Sequence, residues 1–309
     1  MKAIVCTKYG PPEVLQLREV KKPVPRNNEI RVKIFATAVT ASDCIIRGFN
    51  VPAKFRLPMG LAIGFSGPRR SILGMVLAGE VESTGLGVKR FNKGDQVYAF
   101  IITRFGAYAE YTCLPETEVI ACKPSNLTYE QAAAIPYGGM LALHFLRKGN
   151  IQRGQNILIY GASGANGTSA VQLARFFNAK VTGVCSTANL DLVKSLGADE
   201  VIDYTKEDFM DKGVLYDLIL NAVGRRKKAN IEANKALAPH GKYITVDDGN
   251  PKLYIKDLIF LKELVEAGHL KPVIDRVYPL EQMAEAHRYV DQGHKKGNVV
   301  ISVDHQNSS

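Results

Sequence analysis

The chain has 309 residues, 46% of them hydrophobic and 23% charged, which suffices for two domains with a sizeable core. It contains no run of about 18 apolar residues, and its opening MKAIVCTKYG lacks the charged, apolar and small-residue succession of a signal peptide, so a cytoplasmic protein without a membrane partner is expected. Five scattered cysteines (Cys6, Cys44, Cys113, Cys122, Cys185) without C-x-x-C spacing argue against a disulfide framework or a zinc knuckle, and the net charge of +10 is spread thinly.

Residues 1 to about 120 carry short β-like runs broken by Gly and Pro, at 1–7, 29–38, 75–84 and 96–100, with a turn at Lys93-Gly94-Asp95 and alternation over 108–112. Helical periodicity is scarce there, so a mostly β domain is expected. From Thr128 the pattern turns helical, and Thr128 with Gln131 three residues on reads as a capping box. Helices are expected at 130–135 and 140–147.

The segment NILIYGASGANGTSAVQLARFFN, residues 156–178, organises the middle of the chain. Asn156 to Tyr160 read as a buried strand, and Ala170, Leu173, Ala174 and Phe177 fall on one face of a helix. Between them, Gly161, Gly164 and Gly167 form a turn in which the backbone can approach a ligand and helix N–H groups can meet an anion, the pattern of a pyrophosphate cradle. Strands at 180–185, 200–203 and 217–221, with a helix at 191–196, continue an alternation that makes a doubly wound parallel sheet. A helix over 255–267, a strand over 273–277, a helix over 280–292 and a strand over 298–303 follow. The tail 304–309 is polar, and no internal repeat is seen.

Read together, these pieces resemble the zinc-free quinone oxidoreductase branch of the medium-chain dehydrogenase/reductase family. The resemblance runs through VTASDCIIRG (39–48), LGMVLAGEV (73–81), FNKGDQVYAF (91–100), GAYAEY (106–111), AAAIPYGGMLAL (132–143), the GASGANG turn, LGADEVIDY (196–204) and the stretch 271–301. It implies an α/β chain with a GroES-like β-barrel catalytic domain over 1–124, completed by 268–309, and a Rossmann domain over 125–267. It further implies NADPH as cofactor, hydride transfer to quinones or activated alkenes such as α,β-unsaturated carbonyls, and a homodimer.

In zinc-dependent relatives the three catalytic ligand positions correspond here to Thr40, Met75 and Tyr137, a poor set for zinc, so no metal is expected. Without a Lewis acid, reduction of an electron-poor acceptor is the chemistry left. Thr40 either donates to an acceptor oxygen or caps its loop, Asp43 ties that loop down, and Tyr137 is a proton donor or an aromatic wall. The resemblance points Ser163, Gly164, Ala165, Asn166 and Gly167 at the pyrophosphate, Ser186, Thr187 and Tyr204 at the adenosine side, and Asn221, Ala222 and Val223 at the ribose and nicotinamide. Hydroxyls without an acid after the second strand favour NADPH over NADH. Basic residues at 225–228 (RRKK), among them Arg225 and Lys228, are further candidates for a phosphate, and the apolar stretch 49–70 is expected to form a lid. The rival is an NADPH-binding structural or nucleic-acid-binding protein with little turnover. Its sequence support is the positive charge, and no stripe of stacking aromatics accompanies it.

Overall fold

The computed structural model describes residues 1–51, 53–102, 104–224, 235–249 and 251–305, so the basic run at 225–228 lies outside the described residues. The chain divides into two compact units, residues 1–136 with 274–309, and residues 137–273.

The first unit begins with β1 (Lys2–Cys6), antiparallel to β2 (Leu15–Glu19). Then come β3 (Glu29–Val39), α1 (Ala41–Gly48), α2 (Ala53–Ile63), β4 (Val76–Thr84), β5 (Gln96–Phe100), β6 (Tyr111–Pro115), β7 (Ile120–Cys122) and α3 (Tyr129–Ala133). Strand β3 alternates in burial along EIRVKIFATAV, as a strand with one face on a core must. It pairs with β4, β6 and a strand from the far end of the chain. The core holds Ile30, Val32, Ile34, Leu77, Val97 and Val299.

Helix α4 (Pro136–Lys148) leads into the second unit: β8 (Asn156–Tyr160), α5 (Ala165–Phe176), β9 (Lys180–Cys185), α6 (Leu190–Ser195), β10 (Glu200–Asp203), β11 (Tyr216–Asn221), β12 (Leu237–Thr245) and α7 (Ile255–Glu266). Among the described residues its five strands are parallel, in the order β10-β9-β8-β11-β12. The order reverses beside β8, where a doubly wound sheet opens its ligand crevice. The middle of β8 is fully buried, as expected of a strand covered on both faces. The chain then returns to the first unit with β13 (Ile274–Pro279), α8 (Met283–Asp291) and β14 (Asn298–Ser302), and β14 pairs antiparallel with β3.

Several local expectations change. The stretch 49–70, expected as a lid, is helical at α2, with Pro58 inside the helix and Phe55, Leu57, Leu61 and, just beyond it, Phe65 exposed. Tyr9 holds the start of this stretch and the end of α2: its ring stacks on Phe49, and its hydroxyl donates to the carbonyls of Ile63 and Gly64. The alternation at 108–112 yields a strand that starts only at Tyr111, while Ala109 makes an isolated bridge to Ala3. Helix α1 and strands β2, β7 and β12 are additions to the sequence reading. The first unit extends to Pro136 because α3 packs on β3 and β4. Among the described residues, no helix is long and apolar enough to cross a membrane.

Candidate cofactor and active-site residues

The glycine turn of the second unit is built by close backbone approach. A Cβ on Gly167 would stand 2.1 Å from the Gly161 carbonyl oxygen, so α5 can begin this close to β8 only with glycine there. Gly161 has a φ of +81°, and a Cβ on it would stand 2.3 Å from Val223 Cγ2. The loop after β11 therefore rests on the glycine turn. Gly164 differs: its φ is −79°, and its Cβ would meet nothing nearer than a backbone oxygen 3.7 Å away. It is the N-cap of α5 and offers no side-chain cap, so the first-turn N–H groups remain for an anion. An open cradle over an uncapped 12-residue helix fits a dinucleotide pyrophosphate.

The structure brings most of the expected cofactor residues to the carboxyl ends of β8, β9, β10 and β11. Asn189 joins two of them: its Nδ2 donates to Ser163 Oγ at 3.2 Å and to Ser186 Oγ at 3.0 Å. Asn166 sits in the first turn of α5 with its Oδ1 buried and unpartnered. Tyr204 is half exposed, its ring 6.3 Å from that of Tyr160 at the end of β8.

Two expected contributors are engaged elsewhere. The Asn221 side chain accepts from Val223 N and Gly224 N and donates to the Tyr243 hydroxyl, so it shapes the loop of Ala222 and Val223. Thr187 donates to Asp203 Oδ2 at 2.5 Å, and Thr205 donates to Asp203 Oδ1 at 2.7 Å. These hydroxyls, Thr187 first, hold the Asp203 carboxyl down at about 2. The end of β9 carries no acid, as expected, yet one stands a strand away, since Asp203 is in register with Cys185.

Tyr137 lies in the first turn of α4 and is buried. A Cβ on the adjacent Gly138 would stand 2.3 Å from the Ala165 carbonyl oxygen, so this turn abuts the start of α5.

In the first unit, Thr40 and Asp43 cap α1 reciprocally. Thr40 Oγ1 donates to Asp43 Oδ2 at 2.6 Å and accepts from Asp43 N, while Thr40 N donates to the same carboxylate oxygen. The Thr40 proton is thereby engaged, which favours the capping role over donation to an acceptor. Burial at 1% exposure pushes the Asp43 carboxyl up to about 6, against the pull of the Thr40 hydrogen bonds. The Tyr108 hydroxyl approaches that carboxyl, but by hydrogen-bond geometry Oδ1 has no partner, and Tyr108 meets His287 Nε2 instead, at 3.1 Å. Arg47 Nη1 lies 3.3 Å from His287 Nδ1. Because a guanidinium only donates, Nδ1 accepts and Nε2 carries the proton toward Tyr108. Burial and then the Arg47 charge keep His287 neutral, its pKa down at about 3. Arg47 also pairs with Asp291 at 2.7 Å. Sequence reading missed this network, whose members are 179 and 240 residues apart.

The three positions that the resemblance aligns with catalytic zinc ligands hold a capping threonine, a buried methionine (Met75) and a buried tyrosine, a donor set that does not fit zinc.

Comparison with known proteins agrees with the architecture. The chain matches family models described as alcohol dehydrogenase GroES-like domain over residues 26–124 and zinc-binding dehydrogenase over 166–271, with a second model of the latter description over 250–301. It is 33% identical to a 2-methylene-furan-3-one reductase of Solanum lycopersicum, over 97% of this chain and 79% of that protein. It is 31% identical to a chloroplastic NADPH-dependent alkenal/one oxidoreductase of Arabidopsis thaliana, with the same coverages, and 30% identical to a quinone oxidoreductase of Sus scrofa, over 96% and 95%. Among solved structures, the quinone oxidoreductase from Coxiella burnetii superposes with a TM-score of 0.85 at 28% identity, over 98% and 99% of the two chains. An NAD-dependent alcohol dehydrogenase does so with 0.84 at 28% identity, over 98% and 100%. A doubly wound cofactor unit, a GroES-like unit made from two separate stretches of the chain and matches over nearly the whole of this chain lead to one conclusion: the chain belongs to the medium-chain dehydrogenase/reductase family, in the branch of the quinone oxidoreductases.

Proposed function

We propose that this chain is an NADPH-dependent reductase that transfers hydride to quinones or α,β-unsaturated carbonyls without zinc. The observation that carries the reading is the donor set at the three ligand positions. Thr40 is engaged in the cap of α1, Met75 offers a buried thioether and Tyr137 a phenol, so no Lewis acid is held there to stabilise an alkoxide. The chemistry left is reduction of an acceptor that is already electron-poor, and the names of the relatives above are of that kind.

When bound, the nicotinamide supplies the hydride. The protein's part is to hold and orient. The N–H groups of Ala165, Asn166 and Gly167 at the head of α5 hold the pyrophosphate, and the open face of Gly164 leaves room for it. Ser186 and Tyr204 hold the adenosine end, joined by Ser163, which the sequence pointed at the pyrophosphate and which shares the Asn189 amide with Ser186. The loop of Ala222 and Val223, fixed by Asn221 against Gly161, bounds the nicotinamide end. Tyr137 polarises or protonates the acceptor oxygen, and Asp43 keeps Thr40 and the start of α1 in place. The reading includes a cytoplasmic location and a homodimer, the second of which light scattering of the purified protein tests.

The test of function is NADPH oxidation by chelator-treated protein against a panel of quinones and enones. Turnover that chelation leaves unchanged is expected. Tight NADPH binding with no turnover on any acceptor, or stoichiometric zinc whose removal abolishes activity, would overturn the reading.

A further inference from the structure

We infer that Asn189 is a specificity-determining positioning residue, whose side-chain amide turns the hydroxyls of Ser163 and Ser186 into a pair of donors for a phosphate on the adenosine 2′ carbon. The inference rests on the NADPH reading above and names the group that would enforce it.

Asn189 closes the short turn after β9, and its own N–H donates to the Ser186 carbonyl at 2.9 Å, so its side chain is fixed close to the strand end. Asn189 is 7% exposed, and its side chain reaches two serines from different loops, Ser163 of the glycine turn and Ser186 after β9. An amide NH2 group only donates. At both serines, therefore, the oxygen is the acceptor, and each hydroxyl proton is left to point elsewhere. Both serines are only partly buried, so both protons have access to a ligand in the crevice at the strand ends. Two O–H donors held on one amide nitrogen suit an anionic acceptor better than a ribose hydroxyl, which brings a proton of its own.

Two further observations bear on the ligand. Asn189 Oδ1 is buried and unpartnered, an acceptor suited to an N–H or O–H such as an adenosine presents. The nearby acid does not compete for the serine protons, because Asp203 takes its hydrogen bonds from Thr187 and Thr205 and lies 3.7 Å from Lys206.

The test compares 2′,5′-ADP with 5′-AMP, ligands that differ only in the 2′-phosphate, by calorimetric titration of the full chain. Asn189→Leu removes the donors that orient the serines and should weaken 2′,5′-ADP about tenfold or more while changing 5′-AMP by less than about threefold. Asn189→Asp reverses both hydrogen bonds, drawing the serine protons onto its carboxylate and adding like charge, and should cost 2′,5′-ADP about a hundredfold. The Ser163→Ala Ser186→Ala protein should show the same selective loss, and adding Asn189→Leu to it should weaken 2′,5′-ADP little further. Equal losses for the two ligands, or a preference that survives in all three proteins, would overturn the role of Asn189 and leave the NADPH reading in place. A wild-type protein that binds 2′,5′-ADP no more tightly than 5′-AMP would overturn both.

Discussion

Asp43 makes the stability of the first unit depend on pH in a direction opposite to that of a carboxylate held by a salt bridge. Burial raises its pKa from the ordinary 3.8 to about 6. The folded chain therefore keeps the proton over a range in which the unfolded chain has lost it, and stability present below 3.8 is lost as the pH rises through 6. At 1.36 kcal/mol for each tenfold change, the full loss is about 3 kcal/mol, roughly half of it incurred by pH 5 and all of it by pH 8. Asp43→Asn carries no charge at any pH and retains an oxygen for Thr40 N and Thr40 Oγ1. A constant difference between variant and wild type reports altered hydrogen bonds. The part that varies with pH reports the charge. Urea denaturation of both proteins at pH 5, 6, 7 and 8, compared pairwise so that shared titrations cancel, should show the gap moving by about 1.4 kcal/mol in favour of Asn between pH 5 and pH 8, with little change above 7. A gap independent of pH, or one moving in favour of wild type as the pH rises, would refute the reasoning.

Three other outcomes are expected. Gly164→Asp should fold with wild-type thermal stability, since its Cβ enters open space at an ordinary φ, yet abolish NADPH binding in a fluorescence titration through steric block and charge repulsion; undiminished affinity would move the phosphate site. Gly167→Ala should lose about 1–3 kcal/mol in chemical denaturation, because its Cβ would stand 2.1 Å from a backbone oxygen. Asp291→Asn should cost about 3–5 kcal/mol by leaving a guanidinium of 3% exposure without its anion, whereas Arg47→Met should cost less because the Asp291 carboxylate, 38% exposed, rehydrates. Equal thermal shifts for that pair would refute the asymmetry.

What was legible in the sequence was what is local. The glycine turn with its flanking strand and helix and the Thr128–Gln131 capping box depend on residues within a few positions of each other, and the box is present as expected. Helix α1 carries the same device: Thr40 and Asp43 were read as residues that cap and tie down a loop, but in a stretch dense in β-like runs the helix they cap was not. Strand β12 was missed because Pro239 and a His240 with φ of +68° interrupt its pattern, and much of it is exposed. At the candidate site, the serines were visible as residue types, but the directions of their protons depend on Asn189, whose side chain reaches back 26 residues to Ser163. The proximity of Asp203 to Thr187 depends on the register of β9 with β10, which no single segment encodes. The engagement of Thr40 and Asn221 is likewise a matter of which protons and lone pairs are already taken.

The pairing of β14 with β3 sets an order of events during synthesis. Val299 lies opposite Val39, so the strand that completes the first unit's sheet leaves the ribosome some 260 residues after the strand it covers. The second unit, by contrast, is one continuous stretch whose partners are all present once Val273 has emerged. A nascent chain thus has a complete cofactor-binding unit while the edge of β3 at residues 36–39 still presents open N–H and C=O groups. Such an edge is a template for another chain. Protection of the first unit against association therefore falls to the last few dozen residues, and a cofactor that binds the second unit early leaves this exposure unchanged.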